Sequence, residues 1–186
     1  MRRFILLALI PIAAVVASAQ VPKGNFFIGY SYSSFDNNSS SRSNLNGWNG
    51  SLEGSVLPFI GMVVDVSGHY GTLPNTQIAC AAVIGGTCPG NLNGRVYSYL
   101  AGPRVSVSIH GIRPFAHVLF GAAHTNESVQ NFTFTDTSFA NATGGGLDFH
   151  LAPFLAWRVQ GDALQTRFFH HTQYNARIST GLVLRF

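Results

Sequence analysis

Beyond about residue 20 the chain alternates. Two chemically different sets of residues interleave along eight stretches, at about Asn25–Ser34, Gly47–Val56, Ile60–Tyr70, Gly94–Ile109, Pro114–His124, Phe139–His150, Phe154–Phe168 and Tyr174–Phe186. A period of two is the mark of a β-strand, whose successive side chains point to opposite faces. One set runs through Phe26, Ile28, Leu52, Met62, Val64, Val66, Tyr99, Val105, Val118, Phe120, Leu147, Trp157, Ile178, Leu182 and Leu184, and contains no Asp, Glu, Lys, Arg or His. The other collects the strand charges: Glu53, Asp65, His69, Arg104, His117, Asp148, His150, Arg158, Asp162 and Arg177, among Ser31, Asn49, Ser108 and Gln160.

The connections between these stretches alternate too. Phe35–Asn46, Gly71–Asn93, Thr125–Ser138 and Phe169–Gln173 read as long polar loops. Leu57–Phe59, His110–Arg113 and Leu151–Pro153 are short. Long loops at one end and tight turns at the other are the plan of an outer-membrane barrel. An even strand number brings both termini to the turn end. Pro103 is the misfit, since a closed sheet has no edge on which to hide a missing N–H; a bulge is expected there.

Composition decides which face meets what. Charged residues are 10% of the chain, against roughly 25% in soluble domains, so something other than water covers much of the surface. A soluble lipocalin-like barrel would need more charge outside and bulkier residues inside than these two sets supply. An apolar exterior in lipid with a polar interior accounts for both. Hydrocarbon admits only helices and closed barrels, and the Gly and Pro spacing excludes the helix. The expected fold is therefore all-β, an eight-stranded antiparallel transmembrane up-and-down barrel. Tyr32, Trp48, Tyr70 and Tyr97 near one set of strand ends, and Phe26, Trp157 and Phe186 near the other, are placed as two aromatic girdles.

The first residues give the route. Met1-Arg2-Arg3, an apolar run from Phe4 to Ala17 and the small residues Ala17-Ser18-Ala19 have the order of a cleavable export signal. The run is too short to span a bilayer, which takes roughly 20 apolar residues. The domain reading is thus a signal peptide over residues 1–19 and one barrel domain over 20–186. Without Arg2 and Arg3, nine Lys and Arg face seven Asp and Glu, so the basic balance belongs mostly to the signal. No Lys/Arg run supports nucleic-acid binding.

Leu100-Ala101-Gly102-Pro103-Arg104, Arg113-Pro114-Phe115, Gly144-Gly145-Gly146-Leu147-Asp148, Arg158-Val159-Gln160-Gly161-Asp162 and the terminal Gly181-Leu182-Val183-Leu184-Arg185-Phe186 follow one another in the order and spacing of a known group. In these the chain resembles the small OmpA/OmpX-type outer-membrane barrels over essentially its whole mature length. The resemblance implies bacterial outer-membrane localisation after export through the periplasm, with membrane lipids and lipopolysaccharide as surroundings. It also implies that the terminal Phe186 is the signal read by the barrel-assembly machinery. No peptidoglycan-binding domain follows, so anchoring of the full-length OmpA kind is not expected.

Three constellations bear on chemistry. Cys80 and Cys88, the two cysteines, share an expected external loop on an oxidising export route, which points to a disulfide; further metal ligands at suitable spacing are missing from that loop. His170-His171-Thr172-Gln173-Tyr174-Asn175 lies where lipid A deacylases carry a His-x-Ser-Asn pattern, but Thr172 and Gln173 depart from it, so two histidines in a polar loop are expected. Gly144–Gly146 precedes no helix and is not a phosphate loop; close packing of strands is its expected use.

The interior is a further constellation. Glu53, Asp65, Arg104, His117, Arg158, Asp162 and Arg177 are expected to form a paired polar network across the lumen, because eight strands leave room only for side chains to meet and buried charges need partners. The functional expectation is a non-enzymatic monomeric barrel without cofactors or metals, structural or surface-interacting through its loops, with an unidentified extracellular partner. A narrow passive channel and a lipid-modifying enzyme are the alternatives.

Overall fold

The structure is a computed structural model that describes residues 23–36, 42–73, 92–129, 132–168 and 171–186. Cys80, Cys88, His170 and the expected signal over residues 1–19 lie outside the described residues.

Eight strands follow in chain order: β1 (Gly24–Asp36), β2 (Arg42–Leu57), β3 (Ile60–Leu73), β4 (Leu92–Ser106), β5 (Ile112–Val129), β6 (Phe132–Ala152), β7 (Leu155–Phe168) and β8 (His171–Arg185). Each pairs antiparallel with the next. β8 closes the barrel on β1, from Asn25 opposite Arg185 to Ser34 opposite Ala176. Closure removes the edges that would leave backbone groups unpaired in lipid.

At the turn end the hairpins are tight. β2 and β3 are joined through Pro58 and Phe59, and β6 and β7 through Pro153 and Phe154, each next to a register shift. The β4–β5 turn places His110 and Gly111 at φ 39° and 87°, between the bridged pair Ile109 and Ile112. Positive φ at both central residues matches the right-handed twist of the strands it joins. β4 itself ends at Ser106, three residues short of the expected Ile109.

Expected loops give way to strand. Thr125–Ser138, a loop by its polarity, is mostly strand: β5 runs to Val129 and β6 starts at Phe132, with these two residues paired. The β-branched and aromatic residues of Phe132-Thr133-Phe134-Thr135 favour extended backbone, and polarity does not oppose a strand in water. At 18 and 21 residues, these strands far exceed the roughly 9–11 residues that cross a bilayer, so the hairpin projects beyond it. Similarly, Phe169–Gln173 shrinks, because β7 reaches Phe168 and β8 begins at His171.

Pro103 makes no bulge. β4 keeps one register with β5 on both sides of it, Ala101 opposite Phe120 and Arg104 opposite His117; only the two intervening pairs are missing from the ladder. The ring is exposed on the outer face. Locally omitting a hydrogen bond is enough to accommodate it.

The faces separate as the alternation requires. Ile28, Leu52, Val64, Tyr99, Phe120, Ile178 and Leu182 are about half exposed on the outside. On the outer surface Tyr70 and Tyr97 pack edge to face at 5.9 Å, and the Trp157 indole N–H donates to Thr180 Oγ1 at 2.9 Å. The interior differs from expectation in not being polar throughout. Leu45, Val63, Val96, Leu100, Leu119 and Leu164, with Ala123, Ala140 and Ala142, form one buried apolar cluster, and Phe27, Ala156 and Val183 a second. A lumen filled by side chains gains from apolar packing wherever no charge needs a partner.

Candidate functional site

The site is the packed lumen. Register alone makes three of its contacts: Asp162 stands opposite Arg177, Asp148 opposite Arg158 and Arg104 opposite His117 on neighbouring strands. Further contacts cross the barrel. Arg177 on β8 reaches Asp65 on β3, with Nη1 2.8 Å from Oδ1, while its Nε donates to Asp162 Oδ2 at 2.8 Å. Its Nη2, 2.7 Å from the same oxygen, adds an ionic contact off the hydrogen-bonding direction. Asp162 Oδ1 lies 2.7 Å from His117 Nε2, and His117 Nδ1 lies 3.2 Å from Arg104 Nη2. Arg104 Nη1 donates to Glu53 Oε2 at 2.9 Å.

Asp65, Arg177, Asp162, His117, Arg104 and Glu53 therefore form one continuous chain, and Arg104, Arg177 and Asp65 are fully buried. Arg158 stands beside it, held by both oxygens of Asp148 at 2.7 and 2.9 Å. All seven residues expected in the lumen are buried there. The guanidinium faces are covered too. Arg104 lies over Phe115 at 4.3 Å from the ring centroid, and Arg158 lies between Phe115 at 4.6 Å and Phe27 at 5.1 Å. Cation–π contact suits the weakly hydrated guanidinium in a dry site.

Sequence reasoning had Asp148 facing inward but did not assign it to Arg158; the register pair is the signal that could have found it. It also placed Arg113 at a turn, whereas its Nη2 donates to Glu53 Oε1 at 2.9 Å. Neutral residues complete the shell. Asn25 donates to Glu53, Asn49 to Asp65, and Gln160 to Asn49 and Asp162. A hydroxyl layer joins Ser31 to His69 and Ser179, and Ser67 to Ser98, and meets the ionic network where Arg177 Nη1 donates to Ser67 Oγ at 3.2 Å. Ser108 and His150, expected inside, are exposed at the turn end, where the lumen opens and His150 Nδ1 donates to the Gly111 carbonyl at 2.7 Å.

The glycine run Gly144–Gly146 has a specific use. Gly144 stands across from Asp162 and beside His117, and a Cβ on it would collide with the Asp162 carboxylate and the Gly161 carbonyl. A Cβ on Gly146 would come within 2.8 Å of the Phe115 ring. Small residues on β6 thus leave the volume that charged and aromatic neighbours occupy. Gly144→Ala should displace the Asp162 carboxylate and destabilise the barrel by about 1–3 kcal/mol, as overpacking of a filled core does. Urea titration of the refolded protein checks this, and Gly161→Ala, where an added Cβ meets nothing within 4 Å, serves as its control.

Of the possible catalytic stretch, His171 and Thr172 lie in β8, Tyr174 is exposed and the buried Asn175 donates to Thr166. Among the described residues no group of three His, Cys, Asp or Glu side chains could hold a metal ion.

A closed eight-stranded barrel, apolar outside and ion-paired inside, defines the class: the chain has the fold of the small outer-membrane barrels. Solved structures of that fold match nearly all of it. Neisserial surface protein A superposes with a TM-score of 0.70 at 9% identity, over 88% of this chain and 97% of that one. Ail, the attachment invasion locus protein of Yersinia pestis, gives 0.61 at 15% over 90% and 100%, respectively. The N-terminal β-barrel domain of Pseudomonas aeruginosa OprF gives 0.53 at 11%, again over 90% and 100%. At these identities the likeness is one of fold. No family model matches the sequence, and no curated protein matches it.

Proposed function

We propose that this chain is a non-enzymatic integral protein of a bacterial outer membrane, exported through the periplasm, with a sealed lumen and a surface-interaction role carried by its loop end. The observation that carries this reading is the packed interior: Arg104, Arg158 and Arg177 are fully buried and held by Glu53, Asp148, Asp65 and Asp162. A lumen committed to internal ion pairs has little left to offer a permeating solute. What remains available to partners is the loop end, including the projecting β5–β6 hairpin. The similar proteins named a surface protein and an attachment invasion locus protein support the same direction. On this reading the turn end faces the periplasm, and lipids and lipopolysaccharide surround the apolar wall.

The test is conductance. Purified protein inserted into planar bilayers should give no discrete current steps above the lipid background. Reproducible steps with each insertion would replace the sealed scaffold with a narrow channel.

A further inference from the structure

The turn end holds a cavity of about 490 Å³ whose charged side chains, Lys23, Arg113 and Arg185, are all cationic, and whose walls include Pro153, Phe154 and Phe186. The carboxylates nearest to it are already engaged. Glu53 accepts from Asn25 and Arg104 on one oxygen and from Arg113 on the other. Asp148 gives both oxygens to Arg158. Arg185 Nη2 stands 3.7 Å from Asp148 Oδ2, an ion pair without a hydrogen bond. Its Nη1 contacts His150 Nε2, while its Nε and Nη2 are buried atoms with no hydrogen-bond partner, as are Arg104 Nε and Arg158 Nη1. In this layer two carboxylates face four guanidinium groups. The Phe186 backbone oxygen accepts the Gly24 N–H at 3.0 Å.

We infer that this cavity binds a phosphate group, that of a membrane phospholipid. Guanidinium N–H groups match the tetrahedral oxyanion of a phosphate in charge and direction. The height is right for a lipid: Arg113 is the second residue of β5 and Arg185 ends β8, at the strand ends where a spanning barrel meets the headgroups, and basic pockets at that level take lipid phosphates. Phe154 and Phe186, 62% and 57% exposed, flank the opening and offer apolar surface to the acyl chains. The source rests on the membrane-spanning reading; the cationic cavity itself does not.

Protein refolded into phosphatidylglycerol nanodiscs, then released into an uncharged, phosphate-free detergent for native mass spectrometry, should retain bound phosphatidylglycerol. Arg185→Gln should lower the retained fraction about tenfold, the consequence of losing one charge-assisted contact. Arg113→Gln should act likewise, and Arg95→Gln, at an exposed position near the loop end of β4, should not. In a second arm, glycerol phosphate is titrated into the detergent-solubilised protein and followed by phosphorus NMR. Binding there that depends on Arg185, without lipid retention, keeps the phosphate site but overturns the lipid as its source. Heat-dependent migration on a gel establishes that each variant is a folded barrel, so failure of the membrane reading is seen separately. A folded wild type that holds neither probe, or equal lipid retention by wild type and Arg185→Gln, overturns the proposal.

Discussion

Arg177→Ala should destabilise the folded barrel by about 3–5 kcal/mol, the cost of breaking a buried ion pair from one side. Arg177 is the only cation that Asp65 contacts among the described ion pairs, and it shares Asp162 with His117. Its removal leaves Asp65, 0% exposed, with no cation beside it and Asp162, 5% exposed, with only His117 and Gln160. The penalty comes from the groups left behind, so it should shrink when they are neutralised. The triple variant Arg177→Met, Asp65→Asn, Asp162→Asn should recover much of the loss, since exchanging whole buried ion pairs for uncharged residues is often close to neutral. Urea unfolding in lipid vesicles, followed by tryptophan fluorescence, measures both. A change of less than about 1 kcal/mol for Arg177→Ala would mean that water screens these groups as it does surface pairs. The lumen would then be open, and the conductance experiment should show it.

Val64→Arg should lower stability in the bilayer by about 2–4 kcal/mol, the cost of an arginine on the lipid face near the midplane of a barrel. Val64 is 54% exposed on β3, flanked by Leu52 on β2 and Ala101 on β4. Nothing on the outer wall around it offers a counter-charge. Val63→Ala, one residue away but 1% exposed and facing the apolar cluster of the lumen, separates the two kinds of loss: its cost reflects a lost packing contact and should persist in detergent. The Val64→Arg penalty should largely vanish in a small micelle, where the guanidinium reaches water. Refolding yield and urea midpoint in vesicles against micelles give the comparison. An equal cost in both would contradict a lipid-facing Val64.

Alternation is a local property, and this is why so much of the architecture can be read without coordinates. Whether Val64 and Asp65 face opposite ways depends only on the pleat of β3, so the number of strands, the lipid face and the inward position of all seven network residues follow from the order of residues. Polarity misled where two causes share one appearance. The serines, threonines and asparagines between Thr125 and Ser138 look like a loop, but a strand that has left the membrane also has no need of apolar side chains. Pro103 misled through a rule about edges, because a gap in one ladder costs less than rebuilding the register. The apolar interior residues Phe27, Leu100, Phe115 and Leu119 went unassigned because attention to charge gave the inside a single character.

The sequence by itself determined that the seven network residues turn inward, how the strands follow one another and which end carries the turns. Only the tertiary structure decided who meets whom. Arg177 and Asp65 are 112 residues apart, and their contact depends on the tilt and stagger with which β8 closes on β1, which set the relative heights of side chains across the lumen. The same closure brings His117 on β5 to Asp162 on β7, 45 residues away, and leaves Arg185 with unpaired donors at the turn end. Alternation fixes direction along each strand, but height around a barrel is a property of the whole sheet.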